Sequence, residues 1–146
     1  MVKIKEVLGD EVYTEINEIF ELSDLEEEEF VIREVRRKII EKIANIVTSL
    51  DRLLNPDSTY MQMYDVSSLD DNDREVIITI IKKFAIIIKT HKILEYKPDA
   101  DKDKEFCITT LALYKENIDS VCKILDKLKL AYSNTIEKAQ SINYLG

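Results

Sequence analysis

Between Gly9 and Gly146 the chain contains no glycine, and its prolines are Pro56 and Pro98 alone. These two residue types are the strongest punctuators of local structure. Their scarcity predicts a few long helices with two interruptions. It also removes the loops that need positive φ, and with them most phosphate-cradling and tight-turn sites. The motifs G-x-x-x-x-G-K, G-x-G-x-x-G and G-x-S-x-G are all missing, which excludes nucleotide loops and nucleophile elbows.

Histidine occurs once, as His91, and tryptophan not at all. A one-histidine chain cannot supply the paired E-x-x-H motifs of a di-iron bundle. His91 falls on an apolar stripe and has no E-x-x-H or H-x-x-x-H spacing around it. It is expected as a partly buried histidine with one hydrogen-bond partner near a helix end. The alternative is an imidazole lining a ligand cavity. Cys107 and Cys122 lie 15 residues apart in one predicted helix, about 22 Å and beyond disulfide reach. They are expected as free, buried thiols in a reducing compartment.

Long hydrophobic runs are missing too. The apolar run around Ala85–Ile88 is closed by lysines and acids, so no membrane span is expected. The N-terminal MVKIKEVLGDEVY lacks the apolar stretch of a signal peptide. A cytoplasmic location is the expectation.

What is present is a chain of 146 residues, 45% apolar and 34% charged. The apolar share is too high for disorder, and the length suits one domain over residues 1–146 with its own core. The net charge of −8 argues against a general nucleic-acid binder, which needs a basic surface.

Periodicity divides the chain into helices. Residues 1–8 read as an arm or an edge strand, ended by Gly9. Asp10 reads as an N-cap, and Val12, Ile16, Ile19 and Phe20 share one helical face to about Leu22. Ser23 to Glu26 fits a capping box, with Glu27, Glu28 and Glu29 complementing the dipole. A second helix runs from there to residue 54 on the stripe Ile32, Val35, Ile39, Ile43, Ile46, Leu50, Leu53. Pro56 closes it. Residues 55–67 read as the long loop. Ser68 to Asp71 supplies another capping signal, and a third helix runs to Tyr96 on Ile77, Ile80, Phe84, Ile87, His91 and Leu94. Its apolar girth predicts a central helix buried from more than one side. After Pro98, a fourth helix reaches about residue 142 on Cys107, Leu111, Tyr114, Ile118, Val121, Leu125, Leu128, Tyr132, Ile136 and Ala139. The expected fold is all-α: an antiparallel bundle of three long helices plus a short N-terminal one.

Few side-chain groupings carry chemistry. Asp99 to Asp103 opens like a calcium loop, but Lys104 stands where glycine is needed and Thr110 where a bidentate Glu belongs. These acids, like Asp70, Asp71 and Asp73, are expected at helix starts. No metal, no cofactor and no catalytic residue is expected. Arg33, Arg36, Arg37, Lys38 and Lys42 are expected on a solvated face, with Glu29–Arg33 and Glu34–Lys38 as i,i+4 pairs. The alternative is a phosphate or acidic-partner contact through Arg33, Arg36, Arg37 and Lys38.

Two surfaces stand out for interaction. Tyr60, Met61, Met63 and Tyr64 fall in the long loop, and Tyr and Met are enriched at adaptable interfaces. Folding back over a bundle end is their structural alternative. The last helix outlasts its predecessors by about ten residues, counting 1.5 Å of rise for each. Its end carries Tyr132, Ile136, Ile142, Tyr144 and Leu145, which either the first helix or another chain must cover. Residues 37–44 (RKIIEKIA) followed by 69–75 (LDDNDRE) resemble the helical part of archaeal GINS replication subunits. That resemblance implies an acidic accessory factor of a nucleic-acid-processing complex. The chain lacks the small β-rich domain of that family, and its final helix is longer. The residues themselves point to a non-enzymatic interaction or structural module that self-associates as a homodimer. The second alternative is a small-ligand carrier with a cavity near His91.

Overall fold

The computed structural model describes the backbone of residues 4–22 and 32–145 and the side chains of residues 5–22 and 32–138. No strand occurs among them. The helices are α1 (Ile4–Leu8), α2 (Asp10–Phe20), α3 (Ile32–Leu54), α4 (Tyr60–Ser67), α5 (Asp71–Tyr96) and α6 (Ala100–Leu145). The predicted capping box at Ser23 and the glutamates after it lie outside the described residues.

The all-α class and the three long helices stand as read from the periodicity. The junctions differ. The expected N-terminal arm is helical, and its Leu8 is buried. Gly9, not Asp10, caps α2. Its amide donates to the Lys5 carbonyl at 2.8 Å, ending α1, while φ of 85° turns the chain into α2. That left-handed φ suits glycine because it has no Cβ to clash. Asp70 with Asp73, rather than Ser68 with Asp71, forms the capping box of α5. Asp73 N–H donates to Asp70 Oδ1 at 2.8 Å, and Asp70 N–H to Asp73 Oδ2 at 3.0 Å. Asp99 accepts from the amides of Asp101 and Lys102 at the start of α6, as expected of a helix-start acid.

The core is built by α3, α5 and α6. Ile32, Val35, Ile39, Ile43, Leu50 and Leu53 of α3 are buried with Ile77, Ile80, Phe84, Ile87 and Leu94 of α5. From α6 come Phe106, Cys107, Leu111, Val121, Ile124 and Leu128. Charged contacts between helices define the directions. Lys83 reaches Glu116, and Lys127 reaches Asp73, so α5 and α6 run antiparallel. Arg36 meets Asp103, and Lys42 sits over the Tyr114 ring, so α3 and α6 run parallel.

The expectation that α5 is central does not hold. Contacts of α3 reach α2, α4, α5 and α6, whereas α5 leaves Ile78, Ile86 and Ile93 exposed. α5 is packed from two sides, by α3 and α6, as its apolar girth predicts, and its remaining side stays open. Cys122 is a second correction: it is exposed, while Cys107 is buried, and both are free. Burial pushes the Cys107 thiol up to about 12, with Asp103 adding to the shift, so that thiol is unreactive at neutral pH.

Candidate interaction surface

A buried polar lock joins the three long helices. Arg36 of α3 is fully buried. Its Nε donates to Asp103 Oδ1 of α6 at 2.7 Å, and its Nη1 donates to His91 Nδ1 at 2.6 Å and to Glu95 Oε1 at 3.0 Å, both on α5. Arg37 closes the edge, with Nε and Nη2 donating to the two carboxylate oxygens of Glu95 at 2.9 and 3.0 Å. Guanidinium has no acceptor, so His91 Nδ1 is the acceptor and its ring proton sits on Nε2. His91 thus has its hydrogen-bond partner and its partial burial as expected, within a network larger than one contact.

The expectation of a solvated basic face is overturned for Arg36. The missed signal was spacing. Arg36 lies four residues after Ile32, one after Val35 and three before Ile39, inside the apolar stripe. Reading only the i,i+4 charge pairs hid that. Asp103 was missed likewise, lying four residues before Cys107 on the buried side of α6.

The lock sets a pH dependence. Burial, reinforced by the Arg36 cation, lowers the His91 pKa below its ordinary value of 6.5. The unfolded chain therefore takes up a proton below pH 6.5 that the folded chain refuses, and stability falls as the pH drops. The forks of Arg37 and Arg36 lower the Glu95 carboxyl from 4.5 to about 2. That contribution is complete above 4.5 and is lost as the pH falls through about 2. Urea midpoints measured over a pH series are expected to decline in two stages. His91→Gln, which keeps an acceptor for Arg36, is expected to abolish the first. A wild-type midpoint unchanged across the histidine range would contradict this.

The predicted long loop is largely a helix. Thr59 caps α4, with its hydroxyl accepting from the Gln62 amide. Tyr64 O–H donates to the Ala131 carbonyl of α6 at 3.1 Å and bonds to the Thr135 hydroxyl. Tyr132 O–H donates to the Met61 carbonyl at 3.0 Å and to Asp65 Oδ1 at 2.9 Å. The Tyr64 and Tyr132 rings lie 4.6 Å apart, and Tyr60 stacks on Tyr64. Burial and the Asp65 carboxylate push the Tyr132 hydroxyl up to about 12, so it remains a donor. An eight-residue helix is marginal alone. These reciprocal tyrosine bonds clamp it on α6.

The clamp decides what the expected site residues do. Tyr64 and Tyr132 hold α4 against α6 and are half-buried, while Tyr60, Met61, Met63 and Ile136 are exposed. The backbone of Tyr144 and Leu145 belongs to α6, and their side chains lie outside the described residues. Leu125, expected in the core, is 51% exposed, and Ile136 is 58% exposed. Leu125 joins Met61, Ile46, Leu50, Leu53 and Leu128 around a groove of about 550 Å³ between α3, α4 and α6. Lys42, Arg52 and Asp65 stand at its rim.

The overhang is real, and the element on it differs from both expectations. α6 has 46 residues, about 69 Å of helix, against 26 residues and about 39 Å for α5. Lys127 already meets the first turn of α5, so α6 continues past the bundle from there. α4, rather than α2, covers that stretch up to Thr135. α2 packs lower down, where Phe20 meets Tyr114 and Glu15 meets Lys115.

No protein-family model, curated protein or solved structure matches this chain. The likeness of residues 37–44 and 69–75 to GINS subunits rests on those two segments alone. Among the described residues no helix is long and apolar enough to cross a membrane.

Proposed function

We propose that the protein is a non-enzymatic helical interaction module that pairs with a second copy of itself through the α4–α6 corner. The carrying observation is the exposed apolar set Met61 and Leu125, which line the groove, and Ile136, exposed further along α6 where that helix outruns α5. On α6, Leu125, Lys129 and Ile136 share one face with Tyr132, which holds α4 there, so the exposed Met61 of α4 belongs to the same surface. Two copies of that stripe laid antiparallel bring each Leu125 to the other's Ile136, as an isologous contact requires. The corner carries Asp65 together with Lys42, Arg52 and Lys129, charges of both signs. Two chains of net charge −8 therefore meet there without concentrated like-charge repulsion. Two free thiols suit a reducing, cytoplasmic setting.

The nucleic-acid reading has less support, because Arg36 is engaged with Asp103 and Arg37 with Glu95. Light scattering during size-exclusion chromatography tests the dimer. The wild-type chain is expected at twice its monomer mass, and the double variant Leu125→Asp, Ile136→Asp at monomer mass with unchanged helicity. Both residues are exposed, so folding is not at stake. A wild-type monomer at every concentration tested would end the proposal.

A further inference from the structure

The outer seam between α5 and α6 is a second surface, independent of the α4–α6 corner. Along it α5 presents Ile86 and Ile93, 69% and 61% exposed, on the same side as Thr90. Together with Phe106, Thr109 and Thr110 of α6 they line a groove of about 350 Å³. Its α5 side is basic in an acidic chain. Lys82, Lys89 and Lys97 lie on the exposed side of α5, and Lys102 lines the groove from α6. Among the described residues none of these four lysines has a carboxylate within ion-pair distance. The acids there are Glu105, also lining the groove, Asp99 and Asp101 beside Lys97 and Lys102 at the start of α6, and Glu75 towards the start of α5, so the basic stretch is that of Lys82 and Lys89 on α5. Lys83 is already bound to Glu116, and Glu95 to the two arginines. At the groove floor the Thr110 hydroxyl is buried with no hydrogen-bond partner.

We propose that this seam docks an acidic amphipathic helix of a partner protein, lying along the bundle as its fourth long helix. Ile86 and Ile93 are seven residues apart, the repeat at which a packed helix returns the same face. A groove with this apolar lining takes the anchors of a helix laid into it. Unpaired lysines beside it call for Asp and Glu flanking those anchors. A second copy of the seam is excluded as the occupant, because it would oppose lysine to lysine. A flat lipid surface would meet the lysines while leaving the groove unfilled.

The test uses two synthetic amphipathic peptides with identical Leu and Ile anchors, one flanked by Glu and its twin by Lys. Each is titrated into the full chain, in the Leu125→Asp, Ile136→Asp background, so that failure of self-association leaves this result readable. The acidic peptide is expected to bind about tenfold tighter at low salt, as two or three exposed ion pairs provide. It should shift the amides of Ile86, Thr90, Ile93 and Thr109. Lys82→Glu with Lys89→Glu should reverse the preference, and Ile86→Ser with Ile93→Ser should abolish binding of both at unchanged helicity. Equal affinity of the twins, no binding by either, or shifts confined to other helices overturns the proposal. So does sedimentation with phosphatidylserine vesicles that depends on the same lysines while neither peptide binds, an outcome that assigns the face to a membrane surface.

Discussion

Replacing Arg36 with methionine is expected to destabilise the bundle by about 3–5 kcal/mol, the usual cost of removing one partner of a buried ion pair. Asp103 is 3% exposed, and without Arg36 its carboxylate would face the core with no cation. Asp103→Leu alone should cost a similar amount, because it strands the guanidinium. The double variant Arg36→Met, Asp103→Leu is expected to cost less than either single change, since an apolar replacement of a whole buried pair is often close to neutral. Urea denaturation followed by circular dichroism measures all three. Singles that each cost under about 1 kcal/mol, the range of an exposed pair, would show that the lock is solvated. With domain stabilities of about 5–15 kcal/mol, the single variants are expected to sit near the edge of folding.

Phe84→Ala is the second large effect. Phe84 is 1% exposed on α5 and belongs to the cluster shared with α3 and α6. Truncating a buried phenylalanine costs about 3–5 kcal/mol, from lost transfer energy and the cavity left behind. In a chain of this size each kcal/mol lowers Tm by about 2–4 °C, so a fall of about 6–20 °C is expected in a thermal scan. Ile86→Ala, two residues further on, provides the control. Its side chain is exposed, and the expected change is within about 0.5 kcal/mol. Equal losses at the two positions would contradict the assignment of α5 faces.

Those α5 faces show where periodicity stops informing. Spacing identified Ile77, Ile80, Phe84, Ile87 and Leu94 as one stripe, and all five are buried. It could not tell which additional apolar residues a neighbour covers. Ile81 and Ile88 pack against the core, whereas Ile78, Ile86 and Ile93 do not. On a helix apolar around most of its girth, the arrangement of the other helices makes that choice.

The 55–67 segment failed for a related reason. Pro56, Asp57 and Ser58 are turn formers, and eight residues hold too few intrahelical bonds to be stable alone. Its helix depends on Tyr64 and Tyr132 meeting across 67–71 residues of chain. At the candidate interaction surface, Tyr60, Met61, Met63 and Ile136 were recognisable from residue type and helix length. Leu125 was not, because its place in the stripe is indistinguishable from that of a core residue until α3 and α4 leave it open.

The sequence by itself determined the three long helices. Scarce glycine, two prolines and apolar spacings of three and four are local properties, and local hydrogen bonding converts them into three long rods. It also determined the exclusions, since a nucleotide loop or a paired-histidine metal site needs residues this chain does not have. Tertiary structure alone decided which charges are buried and which apolar residues stay in water. Arg36 and Asp103 lie 67 residues apart, and their pairing depends on how three rods are laid together. Burial is a property of that packing, whereas periodicity is a property of one helix.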